Sequence, residues 1–140
     1  MQLGSQLKAV FFDIGNTLGT VSLNPLELKP FASSVGLLQS VGQTLGLEVG
    51  VITNILPEMT DADVRGILEA AGLLSFMKAE AIVTSRDAKV AKPAPEIYQF
   101  AAERVGLSVN ECLYVGEDPN EVLGAQRAGM AGLLKVPPSE

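Results

Sequence analysis

Polar residues able to do chemistry stand where apolar runs end. Asp13 follows Val10-Phe11-Phe12, Thr53-Asn54 follows Val51-Ile52, and Glu117-Asp118 follows Tyr114-Val115-Gly116. Lys92 precedes the stretch Pro93-Ala94-Pro95. Two carboxylates from different segments can share a hard cation such as Mg²⁺, which prefers oxygen ligands. A hydroxyl and an ammonium beside them can hold the oxygens of a phosphoryl group. Together they are equipment for phosphoryl transfer by positioning and charge neutralisation. Each also has a plainer reading. Asp13 and Thr53-Asn54 suit turns, and Lys92 suits a solvated surface. Asp118-Pro119-Asn120-Glu121 spells a helix start, with Asp at the cap, proline first and Glu third. That account leaves Glu117 unexplained, which makes Glu117 the better metal-ligand candidate.

These groups meet only if the segments carrying them lie side by side. Residues 7–12, 48–54, 81–84, 112–116 and 131–136 read as strands, being short apolar runs with β-branched and aromatic members. Helices alternate with them. One opens at Pro30 as a first-turn proline, shows Phe31, Val35, Leu38, Val41 and Leu45 on one face, and ends at Gly46. A second starts at Thr60-Asp61-Ala62-Asp63, a capping box with Asp at its last position, and stops at Gly72. A third runs from Pro93-Ala94-Pro95 to Gly106, and a fourth follows Glu117 and closes at Gly129. Residues 19–29 read as a flap or loop, and residues 85–91 as a loop. This alternation predicts an α/β domain with a mainly parallel sheet. In such sheets ligands sit beyond the carboxyl ends of the strands, where Asp13, Thr53-Asn54 and Glu117-Asp118 fall and which Lys92, before a helix, can reach.

Composition narrows the function. The 140 residues make one ordinary domain, and 47% hydrophobic content is enough for a core. There is no histidine, which excludes Ser-His-Asp and Cys-His catalysis and histidine-based metal sites. The net charge is −6 with no basic cluster, so nucleic acid is not an expected partner. The single cysteine, Cys112, reads as a small buried hydrophobe and fits a reducing compartment. No apolar run is long enough to span a bilayer, and Met1 to Gln6 lacks the features of a secretory leader. The expectation is a cytoplasmic protein.

The motifs carry a resemblance. Phe11-Phe12-Asp13-Ile14-Gly15-Asn16-Thr17-Leu18 resembles the nucleophile motif of the haloacid dehalogenase (HAD) superfamily, and Val51-Ile52-Thr53-Asn54 its second motif. Ala91-Lys92-Pro93-Ala94-Pro95-Glu96-Ile97-Tyr98 resembles its lysine motif. The stretch from Tyr114 to Ala125 is similar to its acidic metal motif. All four occur in the family's order. The resemblance implies a Rossmann-like three-layer sandwich with about five parallel strands in the order 5-4-1-2-3. It implies that Asp13 is the nucleophile forming an aspartyl-phosphate, and that Thr53, Asn54 and Lys92 hold the phosphoryl oxygens. Mg²⁺ would be bound by Asp13, the carbonyl of Gly15 and Glu117, with Asp118 and Glu121 behind them and Glu121 orienting Lys92 or a metal-bound water.

Three departures qualify the expected activity. Family phosphatases carry a general acid/base Asp two residues after the nucleophile, where this chain has Gly15. Branches without that Asp include dehalogenases, phosphonate-cleaving members and P-type ATPases. Glu117 stands where the family usually has Asp. The segments that hold the family's cap domains are also short, so residues 1–140 read as a single core domain without a cap. Capless members tend to act on bulky or macromolecular substrates, or let an oligomer partner cover the site. The expected function is a slow, Mg²⁺-dependent phosphohydrolase. The alternatives are a binding or regulatory pseudoenzyme and, third, a dehalogenase.

Overall fold

The computed structural model describes residues 7–138. The Met1 to Gln6 stretch, read above for a leader, lies outside them. Five strands form one parallel sheet: β1 (Ala9–Phe12), β4 (Glu48–Thr53), β5 (Ile82–Thr84), β6 (Cys112–Gly116) and β7 (Ala131–Leu134). Their order is β5-β4-β1-β6-β7, with β1 central. Counted along the chain as five parallel strands, this is the expected 5-4-1-2-3 order read from the other edge.

Alternation along β1 builds two cores. Val10 and Phe12 face one side, packing with Val49 and Val51 and with Val64, Ile67 and Leu68 of α2 (Asp61–Ala70). Ala9 and Phe11 face the other, packing with Ile97 and Ala101 of α4 (Pro95–Arg104) and with Val122 and Ala125 of α5 (Pro119–Arg127). A strand covered on both faces must be apolar on both, which is why the inner strands read as continuous apolar runs, while β7 at the edge stays largely exposed. Cys112 is buried as expected, and burial pushes its thiol up to about 11.

Several expectations are corrected. Residues 19–29, read as a flap or loop, are ordered as an antiparallel hairpin of β2 (Gly19–Ser22) and β3 (Glu27–Pro30). A Cβ at Gly19 would strike the Lys29 carbonyl, so the hairpin's close approach needs glycine there. Pro30 ends β3 and does not open a helix. A proline is tolerated at the end of an edge strand, where its missing N–H costs no ladder bond. The helix α1 starts at Ser34 and runs to Gln39, continuing as a π-helical turn over Ser40–Thr44. Only Leu38 and Val41 of its predicted face are buried, while Val35 and Leu45 stay exposed. The second expected loop contains one helical turn, α3 (Ser85–Ala88), ended by Lys89 in a left-handed conformation. Other boundaries agree to within a few residues. No described helix is long and apolar enough to cross a membrane.

Candidate active site

Asp13 continues β1 beyond its last ladder residue, its N–H donating to the Val115 carbonyl at 2.9 Å. Thr53 ends β4, and Glu117 follows β6. All three therefore lie along the carboxyl edge of the sheet. Lys92 reaches the same place from the loop before α4. Its Nζ donates to Asp13 Oδ1 at 2.9 Å, to Glu121 Oε1 at 2.9 Å and to Tyr114 Oη at 2.8 Å. An ammonium has three protons, and here each has a partner. The side chain of Lys92 is 1% exposed, against 14% for Asp13. The surface-lysine reading is thereby overturned.

The loop holding Lys92 is fixed from two sides. The Asn54 side chain accepts from the Lys92 N–H at 2.9 Å and donates to the Lys92 carbonyl at 3.1 Å. Asn54 thus acts on the lysine loop through its amide. From the other side, Gly124 of α5 lies so close to Pro93 that a Cβ would strike the Pro93 carbonyl and ring.

Asp118 caps α5, accepting from the Asn120 N–H at 2.8 Å. The anticipated box is not completed. Glu121 turns inward to Lys92 and accepts from the Tyr114 hydroxyl at 3.1 Å. An ion pair with a buried ammonium, charged on both sides, outweighs a bond to an uncharged cap N–H.

A cavity of about 460 Å³ opens beside this network, lined at its polar end by Asp13, Gly15, Thr53, Asn54, Lys92 and Glu121. Glu117 and Asp118 lie outside its lining. Burial, and then the charges of Asp13, Asp118 and Glu121, raise the Glu117 carboxyl above its usual range, with Lys92 the opposing cation. This surplus of negative charge suits a divalent cation. Among the described residues no three carboxylates or other His/Cys/Asp/Glu side chains converge on one metal position. Two carboxylates and a carbonyl remain a sufficient donor set for Mg²⁺, which keeps several waters. The loop's backbone bonds run to the Ile14 and Gly19 carbonyls, which leaves the Gly15 carbonyl out of them.

A model of the haloacid dehalogenase-like hydrolases matches residues 20–129. The chain belongs to this family. The haloacid dehalogenase-like hydrolase domain-containing protein 3 of Danio rerio is 34% identical over 134 residues, 95% of this chain and 52% of that protein. A phosphoglycolate phosphatase of Caulobacter vibrioides is 32% identical over 77% of this chain and 43% of its own length. A dehalogenase crystal structure with an intermediate complex superposes with a TM-score of 0.65 at 27% identity, over 74% of this chain and 43% of that one. The chain spans about half the length of these curated relatives.

Two participants in this HAD-like site were not legible in the sequence. Tyr114 reads there as a strand hydrophobe, yet its hydroxyl joins Lys92 to Glu121. Burial, and then the charges of Asp13 and Glu121, push the phenol far above its usual range, so it remains a donor. Gly116 makes room for it, since a Cβ there would meet the Tyr114 ring and hydroxyl at 2.9 Å. The two-residue spacing Tyr-x-Gly at a strand end was the available signal. Replacing Tyr114 by Phe keeps the ring's edge-on packing with Tyr98 and removes only the hydroxyl. The expected loss is about 1–3 kcal/mol of stability, measured by urea unfolding, because one proton of a buried ammonium loses its acceptor.

Proposed function

We propose that this HAD-like core is a Mg²⁺-dependent phosphohydrolase that works through an aspartyl-phosphate on Asp13 and turns over slowly. The carrying observation is the buried Lys92 ammonium held 2.9 Å from Asp13 at the polar end of a cavity on the sheet's carboxyl edge. The similarity to a phosphoglycolate phosphatase supports phosphoryl chemistry.

In this reading an Asp13 oxygen forms a bond to phosphorus as the bond from phosphorus to the leaving oxygen breaks. Lys92 and the Thr53 hydroxyl neutralise and orient the phosphoryl oxygens. Water then attacks phosphorus and releases Asp13. Asp13, Glu117 and the Gly15 carbonyl would hold Mg²⁺, which supplies further neutralisation of the phosphoryl charge. Glu121 keeps Lys92 aimed at Asp13. Gly15 gives the leaving oxygen no proton, so the proton comes from solvent. The closed β2–β3 hairpin after β1 and the short segment from Thr84 to Lys92 after β5 support a core that acts without a cap.

The metal assignment is tested by calorimetry. Mg²⁺ affinity should fall about tenfold or more in Glu117→Ala, the scale on which metal-site substitutions act. Unchanged affinity would move the ligand role to Asp118 or Glu121.

Gly15→Asp tests the slow step. The backbone at Gly15 is not left-handed, and a Cβ there meets nothing within 4 Å. An aspartate therefore fits without strain and lines the cavity. Turnover should rise at least about tenfold, a fraction of what general acid–base help contributes. The gain should vanish in an Asp13→Asn background. A well-folded variant with no gain would favour the pseudoenzyme.

The similarity to a dehalogenase gives a second reading, because a leaving halide needs no proton and Gly15 offers none. Halide release from a 2-haloacid, assayed beside phosphate release, separates the two.

A further inference from the structure

The cavity that begins at Asp13 and Lys92 is polar only at that end. Its remaining walls are Val21, Leu23 and Leu26 of the hairpin, Leu56 and Met59 after β4, and Ile67 of α2. Val21, Leu23 and Leu56 are 41%, 54% and 43% exposed at its mouth. Such a group of exposed large hydrophobic side chains beside a polar site marks a surface that binds something apolar. Lys92 is the single cationic side chain in the lining, and it is already bound to Asp13 and Glu121. A second anionic group on a substrate would meet carboxylates and no free cation. The hydroxyls of a sugar would find few polar partners beyond the phosphate end.

Resting on the phosphohydrolase reading, we propose that the site takes phosphate monoesters whose leaving group is neutral and apolar, an alkyl-substituted aryl alcohol being the simplest probe. The phosphate sits at Asp13, Thr53 and Lys92, and the apolar body lies against Leu23, Leu56 and Ile67. A phenol also leaves more readily than an alkanol when no side chain protonates it, which suits Gly15.

The test is a series of 4-alkylphenyl phosphates from methyl to hexyl. Their phenols have nearly the same basicity, so the series varies apolar contact alone. kcat/KM should rise about two- to fourfold per methylene until the cavity is filled, the scale of burying one CH₂. 4-Carboxyphenyl phosphate should be the poorest substrate of the set. Leu23→Ser and Leu56→Ser alter exposed positions and should flatten the chain-length dependence, with unfolding midpoints checked alongside. The matching 4-alkylbenzylphosphonates, which cannot be hydrolysed, report binding to the same protein by calorimetry. Turnover with no chain-length dependence overturns the apolar subsite and leaves the phosphohydrolase. Absent turnover with phosphonate affinity that climbs with chain length, and falls in Leu56→Ser, supports the subsite and overturns the hydrolase. Neither turnover nor chain-length-dependent binding overturns both.

Discussion

Asp13→Asn should abolish phosphate release, lowering kcat/KM by about four orders of magnitude or more, the scale seen when one member of a covalent catalytic unit is removed. The amide is nearly isosteric with the carboxylate but is a poor nucleophile. Its carbonyl oxygen can still accept from Lys92, and Glu121 remains as counter-charge to the ammonium. Stability should therefore change by only about 1 kcal/mol. The measurement is phosphate release with an aryl phosphate, beside urea unfolding of the same preparation. Residual activity within tenfold of the parent in a folded variant would place the nucleophile elsewhere.

Lys92→Met should be the next most damaging change, and it should act on both activity and stability. Met fills similar volume but leaves Asp13 and Glu121 facing each other without the ammonium between them. The Tyr114 hydroxyl keeps only its bond to Glu121. Both carboxylates are partly solvated, so the cost is below that of a fully buried pair, about 1–3 kcal/mol. Turnover should fall about 10²–10³-fold, as when one electrostatic stabiliser of a transition state is deleted. Lys92→Arg should rescue stability only partly. A planar guanidinium cannot reproduce three bonds that converge on one nitrogen. A Lys92→Met protein as stable as its parent would mean that the ion pairs are not held in solution.

The sheet was legible because each strand is a short apolar run and each of the four expected helices is closed by a glycine with a reason to be there. Gly46, Gly72, Gly106 and Gly129 all have positive φ, the helix-stop conformation that glycine adopts without strain. Pro30 misled because the same fixed φ serves a first helical turn and a strand end. The spacing of Val35 and Leu45 misled because a face is buried only where something covers it, and nothing among the described residues covers those two. The site divides along the same line. Asp13 and Thr53 announce themselves by type at run ends, because polar residues there interrupt an apolar pattern, whereas Lys92 stands in a loop and is singled out by the family resemblance. Tyr114 and Gly124 do not interrupt any pattern. Their roles depend on contacts with Lys92 and Pro93, distant in sequence; the glycine two residues after Tyr114 signals only that its ring needs room. The capping pattern at Glu121 misled, because a long-range charge outweighs it; a contact with Lys92 was expected only from the family resemblance.

The threefold partnering of Lys92 has a consequence for how the site would meet an anion. The ammonium has no proton in reserve, so an arriving phosphoryl oxygen can gain a hydrogen bond from it only by displacing one of Asp13, Glu121 or Tyr114. Docking at the lysine is thus an exchange of acceptors, with little net gain in affinity from a group that looks like an anchor. Inorganic phosphate, once formed, competes for Lys92 against acceptors that are covalently tethered beside it. The resting network therefore works as a built-in competitor, weakening retention of product as well as capture of substrate. Tight holding would fall to contacts away from the phosphate.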